Sequence, residues 1–143
     1  MIDDHALASK FREFVSIARR MEDRVMQAEG VSLAQSMFLE VIQQTPQARW
    51  SDIAVALDYS PRTITEAIDA LERDGLVKRT PDPTDRRAKI LMMTPKGTRQ
   101  LKKAVRARDR VRAECFGVLG DNERKRLFEM LERMRAAIQT LDS

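Results

Sequence analysis

The spacing of apolar residues changes at Gly75 from a helical period to a β-type pattern, and this change constrains the fold more than any other feature of the chain. Before Gly75, three short segments carry apolar residues at helical spacing. After it, two short β-type runs, 76–80 and 88–93, flank a loop that is rich in proline and charge. Glycine at such a boundary is typical of a helix end. Three short helices followed by a hairpin predict a winged helix-turn-helix.

Local start signals place the three short helices. Ser32 with Gln35 three residues later is typical of a capping box, and Ser51 can cap the next helix. Asp58 tolerates the left-handed turn that leads to Ser60, a capping serine followed by proline. The helix after Ser60 is predicted to bury one face, which consists of Ile64, Ala67, Ile68 and Leu71.

Long helices with narrow apolar stripes are predicted on both sides of the winged lobe. In each stripe the apolar residues alternate in steps of four and three, the spacing of coiled-coil-like packing. A single chain could fold the stripes into its own bundle, but we expect homodimerisation, because the stripes exceed what one small lobe can cover. The residues expected in the dimer interface are Leu7, Phe11, Phe14, Leu127, Leu131, Met134 and Ile138. The predicted fold class is mainly α (α+β), with a two-stranded hairpin as the wing.

The composition excludes several other classes of protein. The 143 residues include one cysteine, Cys115, and one histidine, His5, too few for an internal disulfide or a common zinc site. The acidic N-terminus is unlike a signal peptide, and no apolar run approaches the roughly 18 residues of a membrane helix. The sequence has no nucleophile–base pair and no phosphate-binding glycine loop. We therefore expect a cytoplasmic protein without catalytic residues, cofactor, metal or membrane contact.

The order of these elements and the residues of the wing together resemble the MarR (multiple antibiotic resistance regulator) family of bacterial transcription factors. Segments 51–57 and 60–77 contribute, and the most specific part is the wing segment 82–88, Asp-Pro-Thr-Asp-Arg-Arg-Ala. Its Asp-x-Arg pattern ends at Arg87 and is followed seven residues later by Thr94 and then by Gly97. The resemblance covers essentially the whole chain.

The resemblance implies a homodimeric repressor that binds a pseudo-palindromic operator in double-stranded DNA and is released by a phenolic or other anionic small molecule. The chain then divides into an N-terminal dimerisation helix, a DNA-binding lobe and C-terminal dimerisation helices, at residues 1–30, 31–97 and 98–143. Two other functions stay open. One is a winged-helix module that mediates only protein association, and the other is an architectural DNA binder that responds to no ligand.

Helix 61–73 is the expected recognition helix, and its buried face leaves four residues pointing outward: Arg62, Glu66, Asp69 and Arg73. Asp69 is not expected to touch bases. Arg62 can bind guanine bidentately, whereas Glu66 either accepts from a cytosine amine or repels phosphate. Asp85 is expected to accept a hydrogen bond from the guanidinium of Arg87, for which the resemblance implies minor-groove binding. Taken singly, each outward position of the helix is also explained as an ordinary solvated residue. The expected DNA-binding residues are Ser60, Arg62, Thr63, Thr65, Glu66, Arg73, Asp85, Arg86 and Arg87.

The basic excess of the chain lies in one predicted helix. The net charge is +4, but residues 96–112 hold eight Lys and Arg against one Asp, so the rest of the chain is net acidic. The part of this helix nearest the wing either contacts flanking phosphates or is only a solvated face.

Two further sets of residues have a structural and a functional interpretation. Met26, Met37, Phe38 and Trp50 could line a pocket for the effector that the resemblance implies, although core packing explains their spacing better. Cys115 lies on an apolar stripe, where a buried inert thiol is favoured over an oxidant sensor.

Overall fold

The computed structural model describes residues 1–142, which fall into two compact units, Met1–Arg108 and the residues from Asp109 onward. Helix α5 (Pro95–Phe116) begins in the first unit and ends in the second, which also contains α6 (Asp121–Thr140). The elements before α5 are α1 (Asp4–Gln27), α2 (Leu33–Gln44), β1 (Ala48–Arg49), α3 (Trp50–Leu57), α4 (Pro61–Arg73), β2 (Val77–Pro81) and β3 (Lys89–Met93). The predicted order of three short helices followed by a β-wing is confirmed.

The turns at the ends of the short helices match their sequence signals. Ser32 Oγ accepts a hydrogen bond from the Gln35 backbone N–H at 3.0 Å, and the Gln35 side chain accepts one from the Ser32 N–H, so the predicted capping box is present. Asp58 and Gly75 adopt the left-handed conformation, with φ of 53° and 74°. These two residues mark the ends of α3 and α4.

The start of α3 differs from the prediction. The helix begins at Trp50, and its N-cap is Arg49 rather than Ser51. The Asp52 carboxylate accepts a hydrogen bond from the Arg49 backbone N–H at 2.8 Å, so an acid within the first turn holds the cap. Ser51 cannot be the cap, because the extended pairing of Ala48 and Arg49 with β3 passes directly into helical geometry at the next residue.

The predicted two-stranded hairpin is present as β2 and β3, and a third strand, β1, extends it to an antiparallel sheet of three strands. Its order is β1-β3-β2, so β3 is the central strand. Strand β2 pairs with β3 along its five residues, and Ala48 and Arg49 of β1 pair with Leu91 and Ile90 on the other side. A strand of two residues is too short to show an alternating pattern, so the sequence does not reveal it.

The inward face of α4 lies in the core of the first unit. Ile64, Ile68 and Leu71 have no exposed surface, as predicted, and Ala67 is half-buried. Their cluster includes residues of α1, α2, α3 and the sheet, among them Met26, Leu39, Ile53 and Leu91. Because one face of α4 is buried here, its opposite face is left to solvent.

The predicted stripes of the outer helices are largely exposed in each unit. On α1, Leu7, Phe11 and Phe14 are 57%, 47% and 44% exposed. On α6, Leu127 is half-buried, and the exposed members of the stripe are Leu131, Met134 and Ile138. None of the helices formed by residues 1–142 combines the length and the apolar character needed to span a membrane.

Candidate nucleic-acid interface

The N-terminal half of α4 presents an exposed polar surface. Ser60 Oγ accepts a hydrogen bond from the Thr63 backbone N–H at 3.2 Å, and Pro61 is the first helical residue, so this helix starts as predicted. The side chains of Arg62, Thr63 and Thr65 are exposed. The first turn of a helix carries N–H groups and the positive end of the helix dipole, which suit a phosphate.

Arg62 and Glu66 form an ion pair on the outward face of α4. Arg62 Nε donates to Glu66 Oε1 at 3.1 Å, and the two side chains are 87% and 67% exposed. Their spacing of four residues is the sequence signal for such a pair. Because the bond uses Nε, the terminal nitrogens of Arg62 keep their capacity to donate to another group.

The hydroxyl groups beside Arg62 bond within the start of the same helix. Thr65 Oγ1 donates to the Pro61 carbonyl at 2.9 Å, and Thr63 Oγ1 lies 2.9 Å from Ser60 Oγ. Both threonines are exposed. Their methyl groups therefore remain available for contact with a thymine methyl.

Arg79 of β2 holds the middle of α4 and is a residue that the sequence does not place in the site. Its guanidinium pairs with Asp69, and its Nε lies 3.5 Å from Glu72 Oε2, both on α4. The same guanidinium covers the Trp50 ring, with 4.6 Å between its carbon and the ring centroid. These contacts depend on how β2 lies along α4 and α3, and residue spacing carries no signal for them.

The wing tip exposes Arg86 and Arg87. Asp85 Oδ1 accepts a hydrogen bond from the backbone N–H of Arg87 at 3.0 Å, rather than from its guanidinium as expected. The Asp85 carbonyl also accepts from the Ala88 N–H at 3.1 Å. A carboxylate two residues before an N–H reaches the backbone in an Asx-type turn, so Asp85 closes the turn that presents the two arginines.

Asp82 is buried at the base of the wing. Its Oδ1 accepts hydrogen bonds from the Thr84 N–H at 2.9 Å and the Thr84 hydroxyl at 2.8 Å, and its Oδ2 pairs with Arg49 of β1. The hydrogen bonds from Thr84, followed by the charge of Arg49, hold the pKa of the Asp82 carboxyl below its usual 3.8, although desolvation acts in the opposite direction. The wing loop is thus tied to β1.

Two side chains hold the C-terminal end of α4. Gln35 Nε2 of α2 donates to Asp74 Oδ2 at 3.1 Å, and Lys96 Nζ of α5 donates to the Asp74 carbonyl at 2.9 Å. Arg73, expected at the DNA surface, is exposed and lies 3.7 Å from the Asp74 carboxylate. The outward face of α4 is therefore positioned at its beginning, middle and end by separate contacts.

Thr94 and Gly97, which end the wing motif, close the junction between β3 and α5. Thr94 Oγ1 donates to the Gly75 carbonyl at 2.6 Å and accepts from the Gly97 N–H at 2.9 Å. A β-carbon at position 97 would lie 2.1 Å from the Leu76 carbonyl oxygen. The motif thus joins the end of the wing to the end of α4, at a place where only glycine fits.

The basic surface of α5 is only partly a solvated face. Arg99, Lys102 and Lys103 are exposed. Arg108 instead donates to Glu40 of α2 at 2.9 Å, and its side chain is only 14% exposed. The first exposed charge of α5, Lys96, is bonded to the Asp74 carbonyl, and the next three exposed charges along the helix are Arg99, Lys102 and Lys103.

The four residues expected to line an effector pocket occupy different environments. Met26 and Phe38 belong to the core cluster, whereas Met37 and Trp50 are half-buried. An open groove of about 510 Å³ beside the wing is lined by Trp50 and Arg87, without the other three. Cys115 on α5 is half-buried. No group of potential metal-ligating side chains occurs within the part of the chain that the structure describes.

Comparison with known proteins agrees with this arrangement. The model of the MarR family matches residues 31–89. A relative from Thauera aromatica, named for transcriptional regulation of the hcr operon, is 32% identical over 120 residues, which are 84% of this chain and 72% of the relative. The solved structure of the transcriptional repressor CouR bound to a 23-mer DNA duplex is 27% identical, with a TM-score of 0.78 over 90% of this chain and 92% of that one.

A further solved structure, of a MarR family transcription regulator, is 19% identical and has the same fold, with a TM-score of 0.85 over 96% of this chain and 91% of that one. The identity with the Thauera relative extends over most of both chains. The chain therefore belongs to the MarR family, whose members are DNA-binding transcription regulators and not enzymes.

Proposed function

We propose that the protein is a homodimeric repressor that binds a pseudo-palindromic operator, with α4 in the major groove and the wing in the adjacent minor groove. The observation that carries the proposal is the joint exposure of the α4 N-terminus and the wing arginines on one folded unit, tied together through β2. The relative CouR, which was solved on a DNA duplex, supports duplex DNA as the partner. We place the protein in the bacterial cytoplasm, where such DNA lies.

The proposed contacts differ in the part of the DNA that they reach. Arg62 reads a guanine edge, while Thr63 and Thr65 meet thymine methyls or phosphates. Arg87 enters the minor groove, which is most negative where A·T-rich sequence narrows it. The full proposed set is Ser60, Arg62, Thr63, Thr65, Glu66, Arg73, Asp85, Arg86 and Arg87, in which Asp85 acts by closing the wing turn and Glu66 by its ion pair with Arg62.

Duplex binding is tested with Arg87→Ala, measured by fluorescence anisotropy on an operator duplex selected from a randomised pool. We expect a loss of affinity, because an exposed minor-groove cation is removed. Lys125→Ala is the control, since it removes an exposed cation on α6. If Arg87→Ala binds the duplex as the unchanged protein does while the oligomeric state persists, the DNA-reading role of the wing is refuted. If the unchanged protein selects no duplex from the pool, a protein-association module is favoured.

A second copy of the chain is the proposed cover for the apolar stripes of α1 and α6. Residues 1–30 and 98–143 would then serve dimerisation, and residues 31–97 would read DNA. The proposed interface residues are Leu7, Phe11, Phe14, Leu127, Leu131, Met134 and Ile138, most of which are exposed in the single chain.

Light scattering after size exclusion tests the dimer through Phe14→Glu. The mass should fall from twice the chain mass towards 16.4 kDa, because a charge in an apolar interface is not solvated. Ser16→Glu adds the same charge at an exposed position outside the stripe and should leave the mass unchanged. An unchanged mass for Phe14→Glu would contradict this interface.

A phenolic or other anionic effector is the proposed release signal, bound near Met26, Met37, Phe38 and Trp50. Its binding would change the spacing of the two recognition helices and so weaken DNA binding. Trp50 is the single tryptophan, so its fluorescence reports binding of phenolic carboxylates from a panel. A compound that quenches Trp50 should lower duplex affinity over the same concentration range. If no compound in the panel does so, a ligand-blind DNA binder is favoured.

A further inference from the structure

We infer that Glu66 is a positioning residue that holds Arg62 in place to read a guanine in each half-site, and that Glu66 does not itself contact a base. The inference rests on the proposed function and names the pair of residues that sets its sequence specificity. Its basis is the bond from Arg62 Nε to Glu66 Oε1 at 3.1 Å, across one turn of α4.

The atom that Arg62 uses in this bond determines what it can still do. A guanidinium has five donor hydrogens in one plane, and Nε carries only one of them. Fixing Nε restricts the rotation of the long side chain and leaves the two terminal nitrogens as a planar fork. This fork matches the paired acceptors O6 and N7 of guanine in the major groove. The pair therefore preorganises the contact that is commonest in specific DNA recognition.

The neighbouring polar side chains of α4 form hydrogen bonds within the helix start, which favours Arg62 as the residue for hydrogen-bond readout. Thr65 donates to a backbone carbonyl, and Thr63 Oγ1 lies within hydrogen-bond distance of Ser60 Oγ. Further along the outward face, Asp69 and Glu72 face Arg79. The N-terminal end of such a helix is the end that contacts base edges. Among the described residues of this face, Arg62 carries its exposed donors, the terminal nitrogens, at that end.

Electrostatics favours Glu66 as a partner of Arg62 rather than as a reader of its own. An unpaired carboxylate on this face would be repelled by the DNA phosphates. If the terminal nitrogens of Arg62 bound a phosphate, that anion would lie close to the Glu66 carboxylate, and the two anions would share one positive charge. If Arg62 binds a base edge, which has no net charge, the ion pair is kept and its net charge stays near zero. The charges of Arg62 and Glu66 are therefore balanced best when Arg62 binds a base edge.

The experiment compares the motifs that variants select from one randomised duplex pool, followed by sequencing and anisotropy measurements on single-base substitutions of the selected site. The full-length protein, Arg62→Ala, Glu66→Ala and Glu66→Gln are compared. Glu13→Ala is the matched control, because Glu13 also forms an exposed ion pair one turn away, with Lys10 at 2.9 Å, but lies on α1. Thermal melting of each variant verifies folding.

In the motif that the unchanged protein selects, we expect one position per half-site, the guanine column, at which guanine is preferred. Arg62→Ala should lose this preference, with a fall of about tenfold or more in discrimination against the other bases at that position. Glu66→Ala should weaken the same column by about two- to fivefold and leave the other columns unchanged, because an exposed pair of this kind stabilises modestly. Glu66→Gln should restore most of the preference, since its amide oxygen can still accept from Arg62 Nε. Glu13→Ala should select the motif of the unchanged protein.

Other outcomes overturn the inference. If Glu66→Ala leaves the guanine column intact, the pair has no role in reading. If it instead abolishes a cytosine column, Glu66 contacts that base itself. A failure of the unchanged protein to select any motif would refute the proposed function and is distinguishable from both results, because in both of them a motif is still selected.

Discussion

The guanidinium of Arg79 lies over the indole ring of Trp50, with 4.6 Å between the guanidinium carbon and the ring centroid. The same group also pairs with Asp69 of helix α4. One strand residue thus connects the first helix of the helix-turn-helix with the second. Since the Arg79 side chain is only 25% exposed, solvent screens these contacts less than it screens surface pairs.

Arg79→Ala should lower the free energy of unfolding by about 1–3 kcal/mol, because the cation–π contact is lost and two carboxylates on α4 lose their partner. Arg79→Lys should recover little, since an ammonium cannot stack on the ring and bridge both acids at once. Urea unfolding at neutral pH measures the change. Lys78→Ala, at the exposed neighbouring position, should stay near the unchanged protein. Equal stabilities of Arg79→Ala and Lys78→Ala would argue against this role.

Gly97→Ala should destabilise the protein by at least about 2 kcal/mol, because the added methyl overlaps backbone that cannot move without opening the junction. The Cβ would lie 2.1 Å from the Leu76 carbonyl oxygen. The midpoint of thermal unfolding gives the readout. At Gly120, a Cβ would have its nearest neighbour at 3.4 Å, the flexible end of Glu123, so Gly120→Ala serves as the comparison and should shift the midpoint little.

Asp82 should make the stability of the wing dependent on acid. Its folded-state pKa is lowered by the hydrogen bonds from Thr84, so the stability that it contributes is present above the unfolded pKa near 3.8 and is lost as the pH falls through the lower folded value. The difference in urea midpoint between the unchanged protein and Asp82→Asn should therefore shrink below about pH 4.

Thr84→Ala provides the check on the cause of this acid dependence. It removes the hydroxyl that donates to Asp82 Oδ1 at 2.8 Å but keeps the backbone N–H. The acid-dependent loss should then be smaller and should end at a higher pH than in the unchanged protein, because the folded pKa of Asp82 is lowered less. A difference between the unchanged protein and Asp82→Asn that stays constant from neutral pH to pH 2 would contradict the assignment.

The triple variant Arg99→Ala, Lys102→Ala, Lys103→Ala should flatten the salt dependence of operator binding. Each phosphate contact that is lost reduces the slope of log affinity against log salt by about 0.9. The three positions are exposed on the part of α5 nearest the wing. Alanine at Arg124, Lys125 and Arg126, which are exposed on α6, removes the same charge elsewhere. Equal slopes for the two triple variants would show that α5 is only a solvated face.

Short-range signals predict much of this fold. The Ser32–Gln35 capping box, the Ser60-Pro61 start and the left-handed Gly75 each act within a few residues, so their meaning does not depend on the rest of the chain. The helical spacing of Ile64, Ile68 and Leu71 likewise gives the buried face of α4, and with it the exposed position of Arg62 and Glu66.

Contacts between distant parts of the chain are what the sequence does not reveal. Strand β1 exists only because β3 offers it a pairing edge, and the placement of Ser51 as a cap fails for that reason. The pairing of Arg49 with Asp82 joins residues more than thirty positions apart. The hydrogen-bond partner of Asp85 could not be predicted for a different reason. The backbone N–H and the guanidinium of Arg87 are both possible donors to its carboxylate, and only the folded turn shows that the backbone N–H is the donor.

Strand β1 is hydrogen-bonded to the centre of the wing and passes into α3 without an intervening residue. The first helix of the helix-turn-helix and the wing are thereby parts of one continuous backbone network, and the ion pair of Arg79 with Asp69 joins α4 to it. In the proposed complex with DNA, the offset between the major-groove contacts of α4 and the minor-groove contacts of the wing would then be set within each folded unit. A signal that alters operator affinity would then act on the distance or angle between the two DNA-binding lobes of the proposed dimer, rather than on the parts of one lobe.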